Sequence, residues 1–409
     1  MLQNYKTTRQ LDVSTNFALF LENFLSQGWI QLIGGGCMGS FVNPFKIGKT
    51  YTPENFIDRK EEYSYLCNAV ESGNNVVVVA PRRFGKTWLL QKFIAESGYP
   101  VIYLDLFGSF SLKGFVQKMM KQAYELLKAK NPMSFVGRYL KHIAKHVSFS
   151  FDVGGISFSI DNDLSDDVLI EQMYELLEGV QKDLKKKLVV VLDEFQAYKS
   201  ISEKLPESLR SFYQTQKDVV FVFSGSMRHM IEELFFEESG VLYHSSLRVD
   251  IGKMLPEDES VEYIVENFNS TGKKIILEDA KMIYRLTKGH PYFLQLLCYE
   301  LWDKAGELIS QEEIDVIFDG LCERESYGYE LIIETLEYKY LKNVLKLISE
   351  QTDGYFSIAN LQKYKIPNAT TLNNLLKKLT ERGIIEKLGR GKYQIIDPLF
   401  ERYVMMRME

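Results

Sequence analysis

Val76-Val77-Val78-Val79-Ala80-Pro81-Arg82-Arg83-Phe84-Gly85-Lys86-Thr87 decides the fold of this chain. Four consecutive β-branched residues are too short a run for a helix and read as a strand buried on both faces. The loop after them follows the pattern G-x-x-x-x-G-K-[ST], with Ala80 in place of the first glycine. In that pattern, backbone N–H groups of the loop and of the helix start point at β- and γ-phosphates. Gly85 lets the backbone approach, Lys86 neutralises phosphate charge and Thr87 offers a hydroxyl to Mg²⁺. Ala80 asks only a modest backbone compromise, so binding is expected to survive it. A helix is expected from Lys86 to about Glu96. The candidate nucleotide-binding set is Ala80, Pro81, Arg82, Arg83, Phe84, Gly85, Lys86, Thr87 and Trp88.

A second strand, Leu188-Val189-Val190-Val191-Leu192, runs into Asp193-Glu194. Carboxylates at the end of a buried strand are costly unless they are used. Asp193 is the candidate Mg²⁺ ligand beside Thr87, and Glu194 the candidate that polarises the attacking water. The pair favours hydrolysis over phosphate transfer to a small molecule. A third strand, Val219–Phe223, ends in Ser224-Gly225-Ser226, and either Ser224 or Ser226 could meet the γ-phosphate or the water. Arg248, before an edge strand, is a candidate phosphate sensor, in this chain or on a neighbouring subunit. Lys86, Glu194, Ser224 and Arg248 make up the catalytic candidates.

Around these motifs, strands and helices alternate: a helix is expected over Phe56–Ser72, Val101–Leu104 is a second buried strand, and helices are expected near 112–130, 165–183 and 203–216. Such alternation implies a parallel sheet covered on both sides. Residues 147–160, VSFSFDVGGISFSI, alternate apolar with polar on either side of two glycines and read as a β-hairpin with one apolar face. From Pro256 to about 330 the pattern is helical only, with Asp279 as an expected cap, Gly289 as a stop and Pro291 in the next first turn. From 339 onward it reads helix, short strand (355–358), helix, helix, then two strands around Gly389-Arg390-Gly391, the order of a winged helix. Residues 1–42 stand apart. An amphipathic helix over Asn16–Trp29 precedes Gly34-Gly35-Gly36, and either the segment is a flexible arm or translation begins at Met38.

The chain has 409 residues, 45% apolar and 25% charged, with a net charge of −6, an ordinary globular balance. Residues 338–409 hold 13 Lys/Arg against 7 Asp/Glu, a local charge of +6 that leaves −12 for the rest. An acidic body with a basic tail segment suits either a local anionic partner or a solvated lysine-rich face. Cys37, Cys67, Cys298 and Cys322 form neither a C-x-x-C pair nor zinc spacing, as expected of incidental thiols in a cytoplasmic protein. No apolar run is long enough to span a membrane, and the N-terminus is not built as a secretory signal.

Taken in order, Asn43-Pro44-Phe45, Phe56-Ile57-Asp58-Arg59-Lys60-Glu61-Glu62, PRRFGKT, VVVLDEFQ and Gly289-His290-Pro291-Tyr292 resemble the archaeal-type ATPases of the AAA+/STAND assemblage, over about residues 43–409. The resemblance implies an α/β fold: a P-loop NTPase parallel sheet of AAA+/ASCE type over 43–255, a helical lid over 256–337 and a winged helix over 338–409. It also implies that Phe56, Arg59 and Pro291 lie near the nucleotide, with His290 either there or merely capping a helix. Asp58 stands where the family usually has glycine. Many members continue into a nuclease-like domain, which a chain ending at Glu409 would not have.

In the C-terminal segment, Leu372, Leu375, Leu376 and Leu379 make one buried helix face. Asn373, Lys377 and Lys378 on the opposite face, with Arg390 and Lys392 on the wing, are the DNA-contact candidates; a protein-contact module is the competing reading. Three functions follow as expectations. The first is an enzyme that hydrolyses ATP with Mg²⁺ and moves the lid and winged helix, on DNA or another partner. The second is a nucleotide-gated switch that holds ADP and turns over slowly. The third, a scaffold with a vestigial loop, is disfavoured by the intact Lys86, Thr87, Asp193 and Glu194.

Overall fold

The computed structural model describes residues 42–48, 51–108, 111–127, 147–152, 155–160, 164–226, 228–351 and 353–407. The expected helix at Asn16–Trp29 and the question of Met38 lie outside them. The first described helix, α1 (Lys60–Glu71), starts later than Phe56, because Asp58 and Arg59 adopt φ of 54° and 70°, outside any right-handed helix. Strand β1 (Val76–Val79) leads into α2 (Lys86–Glu96), and β2 (Val101–Asp105) into α3 (Leu112–Leu127). The hairpin follows as β3 (Val147–Asp152) and β4 (Gly155–Ile160), paired antiparallel from Val147 opposite Ile160 to Asp152 opposite Gly155. Then come α4 (Asp166–Leu184), β5 (Leu188–Asp193), α5 (Leu205–Tyr213), β6 (Val219–Gly225), α6 (Arg228–Phe235) and β7 (Leu247–Asp250).

Strands β2, β5, β6, β1 and β7 form one parallel sheet in that order. Insertion of β5 and β6 between β1 and β2 is the AAA+/ASCE arrangement. Period-two geometry sends alternate side chains to opposite faces. Val77, Val190 and Phe221 pack with α3, α4 and α5, while Val78, Val191 and Val222 pack with Leu66 of α1 and Leu90 and Phe93 of α2. Strands β1, β5 and β6 are buried on both faces, which is why they carry unbroken apolar runs. Phe158 and Ile160 of the hairpin join the first of these cores. Register aligns Asp105 with Asp193 and Val79 with Gly225, so the acidic tips and the phosphate loop share the C-terminal edge of the sheet. Ligands of open α/β sheets bind at that edge, where the strand order reverses.

Beyond the sheet lie α7 (Glu257–Ser270), α8 (Leu277–Thr287), α9 (Pro291–Lys304) and the long α10 (Gln311–Leu336). Asp279 is the third residue of α8 rather than its cap, which is Ile276. The C-terminal segment contains α11 (Leu341–Glu350), α12 (Ile358–Lys363), α13 (Ala369–Glu381), the antiparallel pair β8 (Ile385–Gly389) and β9 (Lys392–Ile395), and α14 (Pro398–Arg407). No strand forms at 355–358; the Tyr355 hydroxyl lies 2.8 Å from the carbonyls of Gln351 and Tyr393, and Ser357 turns the chain to cap α12. Residues from Val261 in α7 to Val404 in α14 share one hydrophobic core with Phe45.

Candidate nucleotide-binding site

The phosphate loop turns between β1 and α2 with Arg83 at φ 69° and Gly85 at φ 89°. Ala80 is not among the positive-φ residues, so this position makes no demand that only glycine could meet. The loop is held from beneath: Phe84 is 1% exposed, with its ring 4.6 Å from His290. Lys86, the first residue of α2, places Nζ 3.2 Å from the Ala80 carbonyl and 3.3 Å from that of Pro81. Burial lowers its pKa, and the nearby Glu194 and Asp193 partly offset this. An ammonium in so dry a position interacts strongly with anionic phosphate.

The two carboxylates are fixed differently. Asp193 accepts from the Ser224 hydroxyl and from the Glu194 N–H (3.0 Å) at Oδ1, and from the Tyr103 hydroxyl (2.8 Å) at Oδ2. Glu194 sits at φ 53°, which swings it out of strand direction, and Oε2 accepts from Ser226 Oγ (2.8 Å) and from the Gln196 amide. Ser224 is wholly buried and bonds Asp193, whereas Ser226 reaches Glu194. The intervening Gly225 is obligatory, because a Cβ there would meet Gln196 Oε1 and Ile231 Cγ1 at 2.6 Å.

A cavity of about 620 Å³ opens over this edge, within the size range of small-molecule sites. Arg82, Arg83, Phe84, Gly85, Lys86, Thr87 and Trp88 line it, together with Phe56, Arg59, Pro291, Glu194 and Ser226. Ala80, Pro81, Asp193 and Ser224 are not among the residues that line it. Arg59 is 5% exposed and donates to the Lys253 carbonyl at 2.6 Å. The adjacent Asp58, at φ 54°, is in the left-handed region that aspartate enters more readily than most side chains, which accounts for its presence at a glycine position. The Trp88 indole N–H donates to the Gly48 carbonyl at 2.8 Å. The Arg83 guanidinium carbon lies 4.4 Å from the centre of the Tyr292 ring. His290 caps α9, its ring nitrogen accepting from the Tyr292 N–H at 3.2 Å.

Arg248 does not line the cavity. It pairs with Glu232 (3.1 Å) and Asp250 (3.0 Å) near the β7 edge of the sheet. Asn373, Lys377, Lys378, Arg390 and Lys392 are all exposed, on the outer face of α13 and on the β8–β9 hairpin. Lys377 lies 3.8 Å from Glu381, and Lys378 stands over the Tyr338 ring at 4.8 Å. Sequence reading missed Asp105, Asn55, Tyr292 and Gln295, which also line the cavity. Asp105 carried a signal, since VIYLD ends as VVVLD does; Asn55 and Gln295 carried none.

The donor set fits Mg²⁺, a hard cation held by one or two carboxylates, a hydroxyl and the phosphates of its substrate rather than by a protein cage. The described residues contain no cluster of three or more His, Cys, Asp or Glu arranged to hold a metal ion. Among the described residues, no helix is long and apolar enough to cross a membrane.

No curated protein matches the chain by sequence. Among solved structures, it is similar to the Walker-type ATPase PABY2304 of Pyrococcus abyssi at 18% identity and a TM-score of 0.63, covering 88% of this chain and 99% of that one. It is also similar to the ORC2 protein of Aeropyrum pernix, in ADPNP–ADP complexes, at 15% identity and a TM-score of 0.50, covering 88% and 95%. At such identities the likeness shows the fold. A family model described as an ATPase domain predominantly from Archaea matches residues 56–297, more than half of the chain. With that match the chain belongs to the predominantly archaeal ATPase-domain family, and it is a P-loop ATPase.

Proposed function

We propose that this ATPase takes Mg²⁺·ATP in the cavity and uses hydrolysis to shift α7–α14 against the sheet. The observation carrying this is that Lys86, Thr87, Glu194 and Ser226 line one cavity, with Asp193 next to Glu194 and accepting from its N–H. Lys86 neutralises the β- and γ-phosphates, and Thr87 and Asp193 hold the metal, which supplies charge neutralisation of the phosphates. Glu194 polarises the attacking water, with Ser226 and Gln196 fixing its carboxylate and Ser224 fixing Asp193. Phe56, Arg59 and Pro291 flank the nucleotide away from the reacting phosphate.

Movement of the distal parts is supported by contacts that meet at the loop. Arg83 rests on Tyr292, Phe84 on His290, and Ile396 packs against the cluster that contains Ala80 and Phe84. We read residues 43–255 as the P-loop core, 256–337 as a lid and 338–409 as a winged helix. The exposed Asn373, Lys377, Lys378, Arg390 and Lys392 make that last module a DNA contact, with a protein partner as the competing occupant. Arg248, outside the cavity of its own chain, would act on the nucleotide of a neighbouring subunit.

The same closed contacts favour a second reading, a switch that holds ADP and turns over rarely. Steady-state turnover with Mg²⁺ separates the two. In the first case wild type turns over, Glu194→Gln binds ATP without hydrolysing it and Lys86→Ala loses binding. A wild type that is silent yet purifies with bound ADP establishes the switch instead.

A further inference from the structure

We propose that Tyr103 is a positioning residue for the Mg²⁺-binding carboxylate, and that Gln122 holds Tyr103 in place. The inference rests on the reading of Asp193 as a metal ligand given above. An ionised carboxylate offers about four lone-pair sites. At Asp193, Oδ1 takes the Ser224 hydroxyl and the Glu194 N–H, and Oδ2 takes the Tyr103 hydroxyl at 2.8 Å. Three fixed donors leave one acceptor direction on Oδ2, so the carboxylate enters the site already oriented. Parallel register makes this possible. Tyr103 lies opposite Val191, two residues before the Asp105–Asp193 pair, a diagonal that an aromatic side chain can span.

Such a donor is only as well placed as its backbone, and Tyr103 lies on β2, at the edge of the sheet. The unpaired side of an edge strand normally hydrogen-bonds water. Here the side-chain amide of Gln122, from α3, substitutes for a missing strand. Its Oε1 accepts from the Tyr103 N–H at 2.6 Å, and its Nε2 donates to the Tyr103 carbonyl. Both bonds fall on Tyr103, the residue whose phenol reaches Asp193 Oδ2. Packing alone does not require this: phenylalanine would fill the same volume, and an apolar residue at 122 would still cover the edge.

Losing an outer partner of a metal ligand costs about 10–100-fold in metal affinity or activity. The test uses the full chain and measures mant-ATP affinity without metal and across a Mg²⁺ titration, beside turnover. For Tyr103→Phe we expect unchanged metal-free mant-ATP affinity, a Mg²⁺ half-saturation raised about 10–100-fold and slower turnover. Gln122→Met should move the Mg²⁺ midpoint in the same direction by less, and Asp193→Asn should move it furthest. A Tyr103→Phe protein with wild-type Mg²⁺ dependence, beside an Asp193→Asn protein whose dependence is shifted, overturns the inference and leaves the proposed function intact. Equal loss of mant-ATP affinity with and without Mg²⁺ also overturns it, because it marks general damage to the site. If Asp193→Asn itself leaves the Mg²⁺ midpoint unchanged, the metal assignment fails first and the inference falls with it.

Discussion

His290 sits where the phosphate loop meets α9, 2% exposed, between the rings of Phe84 and Phe293. Burial, reinforced by the charge of Arg83, lowers its pKa to about 3. The native imidazole therefore stays neutral, while the unfolded chain takes up a proton below about pH 6.5. The unfolded state binds more protons between these values, so the stability due to this residue is whole above pH 6.5 and drains away as pH falls toward 3. Asparagine keeps a cap acceptor without titrating. Urea denaturation should show wild type losing about 2 kcal/mol relative to His290→Asn between pH 6.5 and pH 5. A constant difference would place the proton elsewhere. Sequence spacing marked the loop, Asp193 and Glu194 because their signals are local. Tyr103, Gln122 and Gln196 had no such signal, since their partners are set by strand register and by a helix packed on the sheet edge.

Single residues also set the limits of elements. Asp397 shows it: its Oδ1 accepts from the Leu399 and Phe400 N–H groups at 2.9 and 3.0 Å, and the Tyr329 hydroxyl donates to the same carboxylate. One side chain thus starts α14 and ties it to α10. Asp397→Ala should lower stability by about 1–2 kcal/mol in thermal or urea denaturation, and Asp397→Asn, which keeps the acceptor, should recover most of it. The Asp397-Pro398 pair is an ordinary helix-start signal, yet the sequence reading stopped at β9 and missed α14. It also extended α1 too far, because the left-handed turn at Asp58 and Arg59 depends on the bond from Arg59 to Lys253 far along the chain. At 355–358 an apolar residue that suits a strand is instead buried under β9, with no partner strand beside it. The parallel strands and their helices were legible because a sheet buried on both faces leaves continuous apolar runs.

In the molecule as a whole, one hydrophobic core runs through the described residues from Val261 of α7 to Val404 of α14. The salt bridge from Lys288 to Glu401, at 2.5 Å, adds to the join between α8 and α14. If hydrolysis shifts these helices as proposed, α7–α14 would move together. The +6 charge of residues 338–409 would travel with them, against a body of −12. If that charge meets DNA, duplex binding should weaken steeply as salt rises, because phosphate contacts release counterions. Lys377→Glu combined with Arg390→Glu should flatten the salt dependence by about two contacts, read as the slope of log affinity against log salt. A slope unchanged by the double substitution would remove Lys377 and Arg390 from the DNA contacts.

Asp58, Arg59, Arg83 and Glu194 all hold the left-handed backbone, at φ of 54°, 70°, 69° and 53°, and all but Asp58 line the cavity. An L-residue in that conformation gives up about 1 kcal/mol that glycine would not. Heat tolerance and turnover therefore place opposite demands on these positions. A laboratory lineage selected only for survival at high temperature would have reason to replace them with glycine, and each replacement at 59, 83 or 194 would remove a charged group from the walls of the site. Improvement of this protein for endurance is best sought in its helices and surface, with these few residues left as they are.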